Sequence, residues 1–101
     1  MINLEKELEI AKAKELRGDI IERLYAVYPG GVSVGTLKSL LRYKSINSES
    51  DIRKALYYLE EKEYITATEN ENYLDITVNL TPKGINLAEN DLDDVGVDID
   101  E

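Results

Sequence analysis

Lys38, Arg42, Lys44, Arg53 and Lys54 fall in a span whose only acids are Glu49 and Asp51, a local balance of +3 in a 101-residue chain of formal net charge -9. Side chains gathered in this way suit one chemistry above others. Ammonium groups and guanidinium forks bind phosphate oxygens, and an Arg fork also matches the acceptor pair on a guanine edge. The competing reading is a solvated surface with no ligand, which is what most charge clusters are. The choice depends on whether the elements carrying these cations turn them toward one open side.

Other chemistries are excluded more readily. The chain has no Cys and no His, which removes thiol nucleophiles, disulfides, thiolate metal sites and imidazole acid/base work. "GDIIE" and "YPGGVS" lack phosphate-loop spacing, and "DLDDVGVDIDE" lacks the regular oxygen-ligand spacing of a calcium loop. No pair of carboxylates flanks a recognisable pocket. The expectation is a non-enzyme with no catalytic residues, metal or cofactor. No apolar run reaches bilayer length, and the first ten residues hold no apolar core, so a soluble, cytoplasmic protein is expected.

The elements that must position the cations follow from periodicity. Helical spacing runs from Asn3 to Tyr28, with Leu4, Leu8 and Ala11 on one stripe and Ile20, Ile21, Leu24, Tyr25 and Tyr28 on a broader one. Gly18 between them costs a helix about 1 kcal/mol relative to Ala, so either one weakened helix or two helices meeting there is expected. Pro29, Gly30 and Gly31 stop the run. Ser33 caps a short second helix carrying Leu37, Leu40 and Leu41. Ser48 and Asp51 form a capping-box start for a third, with Ile52, Leu56 and Leu59 facing inward. Ser50, Arg53, Lys54 and Tyr57 then project outward, although a Tyr at such a position more often packs at an edge than contacts a base.

After Ile65 the period becomes two, which predicts a β-hairpin turning near Asn70 to Asn72 and returning through Tyr73, Leu74, Ile76, Val78 and Leu80. Thr81 and Pro82 start a short closing helix. Residues 1–90 are expected to form one domain, with 1–17 a helical extension whose Leu4, Leu8, Ala11 stripe is either core or a dimer seam; a core this small has little room for so long a helix, so a homodimer is expected. From Glu89 to Glu101 there are seven acids and no base, so residues 91–101 are expected to be a mobile acidic tail, able to compete with phosphates for the basic face.

Three helices, a hairpin and a closing helix are the order of a winged helix-turn-helix, mainly α with a β-hairpin wing. "LEEKEYI", the hairpin and "LTPKGINLAE" resemble the corresponding stretches of MarR-, PadR- and ArsR-type regulators. "RGDIIERLYAVYPGGVS", "YYLEEKEYI", "LTPKG" and "GVDI" are similar to the small ArsR-like winged-helix proteins of Mu-like prophages. The resemblance covers roughly Arg17 to Ile99. It implies a DNA-binding transcriptional regulator using its third helix on double-stranded DNA, with Lys38, Arg42, Lys44, Ser50, Arg53, Lys54 and Tyr57 as contact residues. Two departures stand out: Glu63 replaces the Gly usual after the third helix, and the wing carries Glu69, Glu71 and Asp75 with no Lys or Arg. The acidic wing and tail favour an alternative, a protein-interaction module of the same fold without specific DNA binding.

Overall fold

The computed structural model describes residues 3–41 and 48–100. Asn3 caps the first helix, α1, which runs unbroken from Leu4 to Val27 through Gly18. A two-residue strand β1 (Val32–Ser33) leads into α2 (Val34–Leu41), where the Ser33 hydroxyl accepts from the Thr36 amide at 3.1 Å. Helix α3 (Glu49–Glu61) starts in the expected capping box. The Asp51 amide donates to Ser48 Oγ at 3.1 Å, and the Ser48 amide donates to Asp51 Oδ2 at 3.2 Å. Strands β2 (Ile65–Thr68) and β3 (Thr77–Leu80) and helix α4 (Pro82–Ala88) complete the order. Thr81 caps α4, with Pro82 at its start.

The architecture is mainly helical with a small antiparallel sheet of order β1-β3-β2. The core is one apolar cluster. Leu16, Ile20, Ile21 and Leu24 of α1 meet Leu37 and Leu41 of α2, Ile52, Ala55 and Leu59 of α3, Val78 and Leu80 of β3, and Leu87 of α4. Two details differ from the periodicity. The expected return arm of the hairpin is a 3-10 turn at Tyr73–Asp75 before β3 begins, because the Asn72 side chain accepts from the Leu74 amide and curls the chain. Strand β1 is too short to show a period; pairing Val32 and Ser33 with Val78 and Thr77 is what makes it a strand.

Helix α3 ends in a Schellman arrangement, in which the Tyr64 amide donates to the Leu59 carbonyl and the Glu63 amide to Glu60. Glu63 therefore takes the left-handed backbone usual for Gly, with φ 65°. A non-Gly residue there costs about 1 kcal/mol, and its carboxylate sits at the negative end of the helix. Glu63→Gly should raise stability by about 1 kcal/mol, or ~4–8 °C in the melting temperature of a domain this size. Thermal denaturation followed by circular dichroism checks this; an unchanged or lowered midpoint contradicts it.

Residues 91–100 of the stretch expected as a mobile tail are folded onto the body. Asn90, with φ 62°, ends α4 in a second Schellman turn and sends the chain back, with the Asp91 amide on the Asn86 carbonyl. Val97 is buried, and Leu92 and Ile99 pack against the core. The Asp98 amide donates to the Lys14 carbonyl at 3.1 Å, Arg17 Nη1 donates to the Gly96 carbonyl at 3.0 Å, and the Asp100 amide donates to Glu22 Oε1 at 2.9 Å. The expectation of mobility counted charges and overlooked the apolar residues between them, which supply the burial that holds the segment.

Asp94 anchors this return. Its carboxylate accepts from the Tyr64 hydroxyl at 2.6 Å and the Gly96 amide at 2.7 Å, takes a longer bond from Tyr58 at 3.4 Å, and lies 3.4 Å from the Lys62 ammonium. Burial alone would raise its pKa, but the hydrogen bonds from Tyr64 and Gly96 and the charge of Lys62 outweigh it and hold the carboxyl below its ordinary range. Burial, aided by the bond to Asp94, pushes the Tyr64 phenol well above its usual value.

Candidate nucleic-acid interface

The capping box sets the phase of α3, and its buried residues set which side faces out. With Ile52, Ala55 and Leu59 buried, Ser50, Arg53, Lys54 and Tyr57 are all exposed on the other side, Tyr57 by 66%. Leu56, expected inside, is half-buried, and Ala55 takes its place in the core.

The structure brings Lys38 and Arg53 together around Glu49. Glu49 lies between them, with Oε2 3.7 Å from Lys38 Nζ and Oε1 4.0 Å from Arg53 Nη2. The Arg53 guanidinium also stacks over the Tyr73 ring at 4.4 Å. Glu49 and Arg53 are an i, i+4 pair and legible as such. Tyr73 reaches α3 only because the 3-10 turn carries it there. Lys54 lies at another edge of the face, in a groove between α1 and α3 lined also by Glu9, Lys12, Arg17 and Asp51. Arg42 and Lys44 lie outside the described residues.

Charge changes along α3. Its first two turns hold Arg53 and Lys54 against Glu49 and Asp51, whereas its last turn holds Glu60 and Glu61 with no base, all of them exposed. A hydrogen bond to Glu61 raises the Tyr57 phenol above its ordinary pKa and ties it to the acidic end. Glu69, Glu71 and Asp75 are exposed on the segment joining β2 to β3. Among the described residues, the tail's ion pair is with Lys62, whereas Lys38 and Arg53 pair with Glu49; the Asp94 carboxylate also accepts from two tyrosines. The carboxylates of Asp19, buried, Glu22, half-buried, and Asp100, exposed, lie within 4.8 Å of one another where the tail crosses α1.

Among the described residues, no helix is long and apolar enough to cross a membrane. Compared with known proteins, the chain matches no family model, no curated protein and no solved structure.

Proposed function

We propose that this is a winged helix-turn-helix protein, a DNA-binding transcriptional regulator of phage or bacterial type, acting in the cytoplasm with α3 as its recognition helix. One observation carries the reading: Ser50, Arg53, Lys54 and Tyr57 share the exposed side of a helix whose other side is core, with Lys38 beside its first turn. The cations occupy the N-terminal half of α3, the half that reaches base edges when such a helix enters a major groove. The order helix, strand, helix, helix, hairpin supports the fold assignment, with β2 and β3 as the wing and β1 as its third strand.

On this reading the Arg53 fork, steadied by Tyr73 and Glu49, contacts a base edge or phosphate, and Lys54 is a phosphate-directed charge. Selection from random duplexes should enrich a sequence. Arg53→Ala should then cost about 1–3 kcal/mol at that site and relax discrimination. Lys54→Ala should weaken all duplexes alike and lower the salt slope by about one unit. Lys54 is exposed, so its loss should alter stability by no more than about 0.5 kcal/mol, while losing the Arg53 contacts with Tyr73 and Glu49 should cost about 0.5–1 kcal/mol, too little to unfold the domain.

A second reading rests on the acidic link between β2 and β3, where Glu69, Glu71 and Asp75 surround an exposed Leu74. That surface suits a basic or apolar protein partner better than phosphate. Failure to enrich any duplex, with partner capture sensitive to Glu69 and Glu71, selects this reading instead.

A further inference from the structure

The first three turns of α1 extend past the core, leaving Leu4, Leu8 and Ala11 exposed. At 100° per residue these three and Glu15 form one stripe facing away from Ile20 and Leu24, which enter the core. Further along, the same stripe passes through Gly18 and Glu22, where the tail covers it: Asp98 lies over Gly18, and the Asp100 amide is bonded to Glu22. The open part of the face is thus bounded, from Leu4 to Glu15.

We infer that this open face pairs with the same face of a second copy, in a two-fold antiparallel helix pair centred between Glu9 and Ile10. Charge order specifies the occupant. Spacings of four, three and four make Leu4, Leu8, Ala11 and Glu15 a heptad seam. One flank of that seam carries Glu5 and Lys12, the other Glu7 and Lys14. In an antiparallel pair each flank meets its own counterpart. When Leu8 packs across the partner copy's Ala11, Glu5 faces Lys12 and Glu7 faces Lys14, each pair made twice by symmetry. Among the described residues, no ion pair within the subunit engages any of these four charges.

The same register ends the overlap where each helix enters its own body, so the two cores lie at opposite ends of the pair without collision. A parallel pair would set Glu15 against Glu15 and bring both bodies to one end, whereas the antiparallel register separates the two Glu15 carboxylates and lays each across the partner copy's Leu4 at an end of the seam. Three apolar positions per copy fall short of a standard interface of about 1,200–2,000 Å², so the association is weak and concentration-dependent.

The chain has no Cys, which makes the register directly testable. Sedimentation from low micromolar to millimolar protein should show the mass rising from 11.4 kDa toward twice that value. Leu8→Glu should abolish the rise with an unchanged circular dichroism spectrum, since Leu8 is 62% exposed in the subunit. Under mild oxidation, mixing Leu8→Cys with Ala11→Cys protein should give a mixed cross-linked dimer far in excess of self-linked product from either alone. A monomer at every concentration overturns the inference. So does efficient self-linking of each variant with no gain on mixing, which marks a parallel seam, or a dimer unaffected by Leu8→Glu.

Discussion

Gly18→Ala should destabilise the protein by about 2–4 kcal/mol, although the same change in an isolated helix would stabilise it by about 1 kcal/mol. A Cβ at Gly18 would lie 1.6 Å from the Asp98 carbonyl oxygen and 2.6 Å from its carbon, both backbone atoms that cannot rotate away. The tail must lift off. Lifting it exposes Val97, worth about 1.5–3 kcal/mol when fully buried, and breaks the bonds from Asp98 to Lys14 and from Arg17 to Gly96, each worth about 1 kcal/mol. The helix-propensity gain offsets part of that loss. For a domain of this size the midpoint of thermal unfolding should fall by roughly 10–25 °C. In a chain ending at Asp91 the sign should reverse, with Gly18→Ala stabilising. Melting curves of the four proteins decide it, and a full-length Gly18→Ala that melts with the wild type shows the tail is not seated over α1.

Asp94→Ala should cost a similar amount, about 2–4 kcal/mol, by a different route. The substitution removes the acceptor for the Tyr64 hydroxyl and the Gly96 amide and the counter-charge for Lys62. Because the side chain is only 6% exposed, water does not readily replace it. Its effect has a pH signature. The folded pKa of Asp94 is depressed, so the stability it contributes is fully present above the unfolded value of about 3.9 and is lost as pH falls through the folded value. The gap between wild type and Asp94→Ala should therefore be constant near neutrality and narrow below about pH 4. Tyr64 has the opposite sense: its raised phenol contributes stability that is lost as pH climbs past about 10. Because Asp94 and Gly18 hold the same segment, the double substitution should cost much less than the sum of the two. Strict additivity in urea titrations would mean that they act on separate structures.

Local signals in this chain proved reliable wherever a few neighbouring residues decide the geometry. Ser48 with Asp51, and Thr81 with Pro82, mark the starts of α3 and α4 because each cap bonds to an amide three residues on and needs nothing from the rest of the fold. Once the start of α3 is known, its 3.6-residue repeat puts Ser50, Arg53, Lys54 and Tyr57 outside, so the candidate face is legible in the sequence. Glu63 was legible as an anomaly, and its left-handed backbone follows from the amides of Glu63 and Tyr64 closing the helix end.

Tertiary structure alone decided what depends on partners distant in sequence. Val32 and Ser33 carry no period of their own and become a strand only by pairing with Val78 and Thr77. Tyr73 meets Arg53, and Lys38 and Arg53 share Glu49, because separate elements converge there. The largest difference is the C-terminal stretch. Its composition, seven acids and no base, predicts solvation. That forecast fails because solvation competes with burial of Val97 and with a single carboxylate that finds two phenols and an ammonium waiting. Gly18 belongs to the same event: within its own helix it reads as a weakness of about 1 kcal/mol, and only the Asp98 backbone lying against it makes the missing Cβ a requirement.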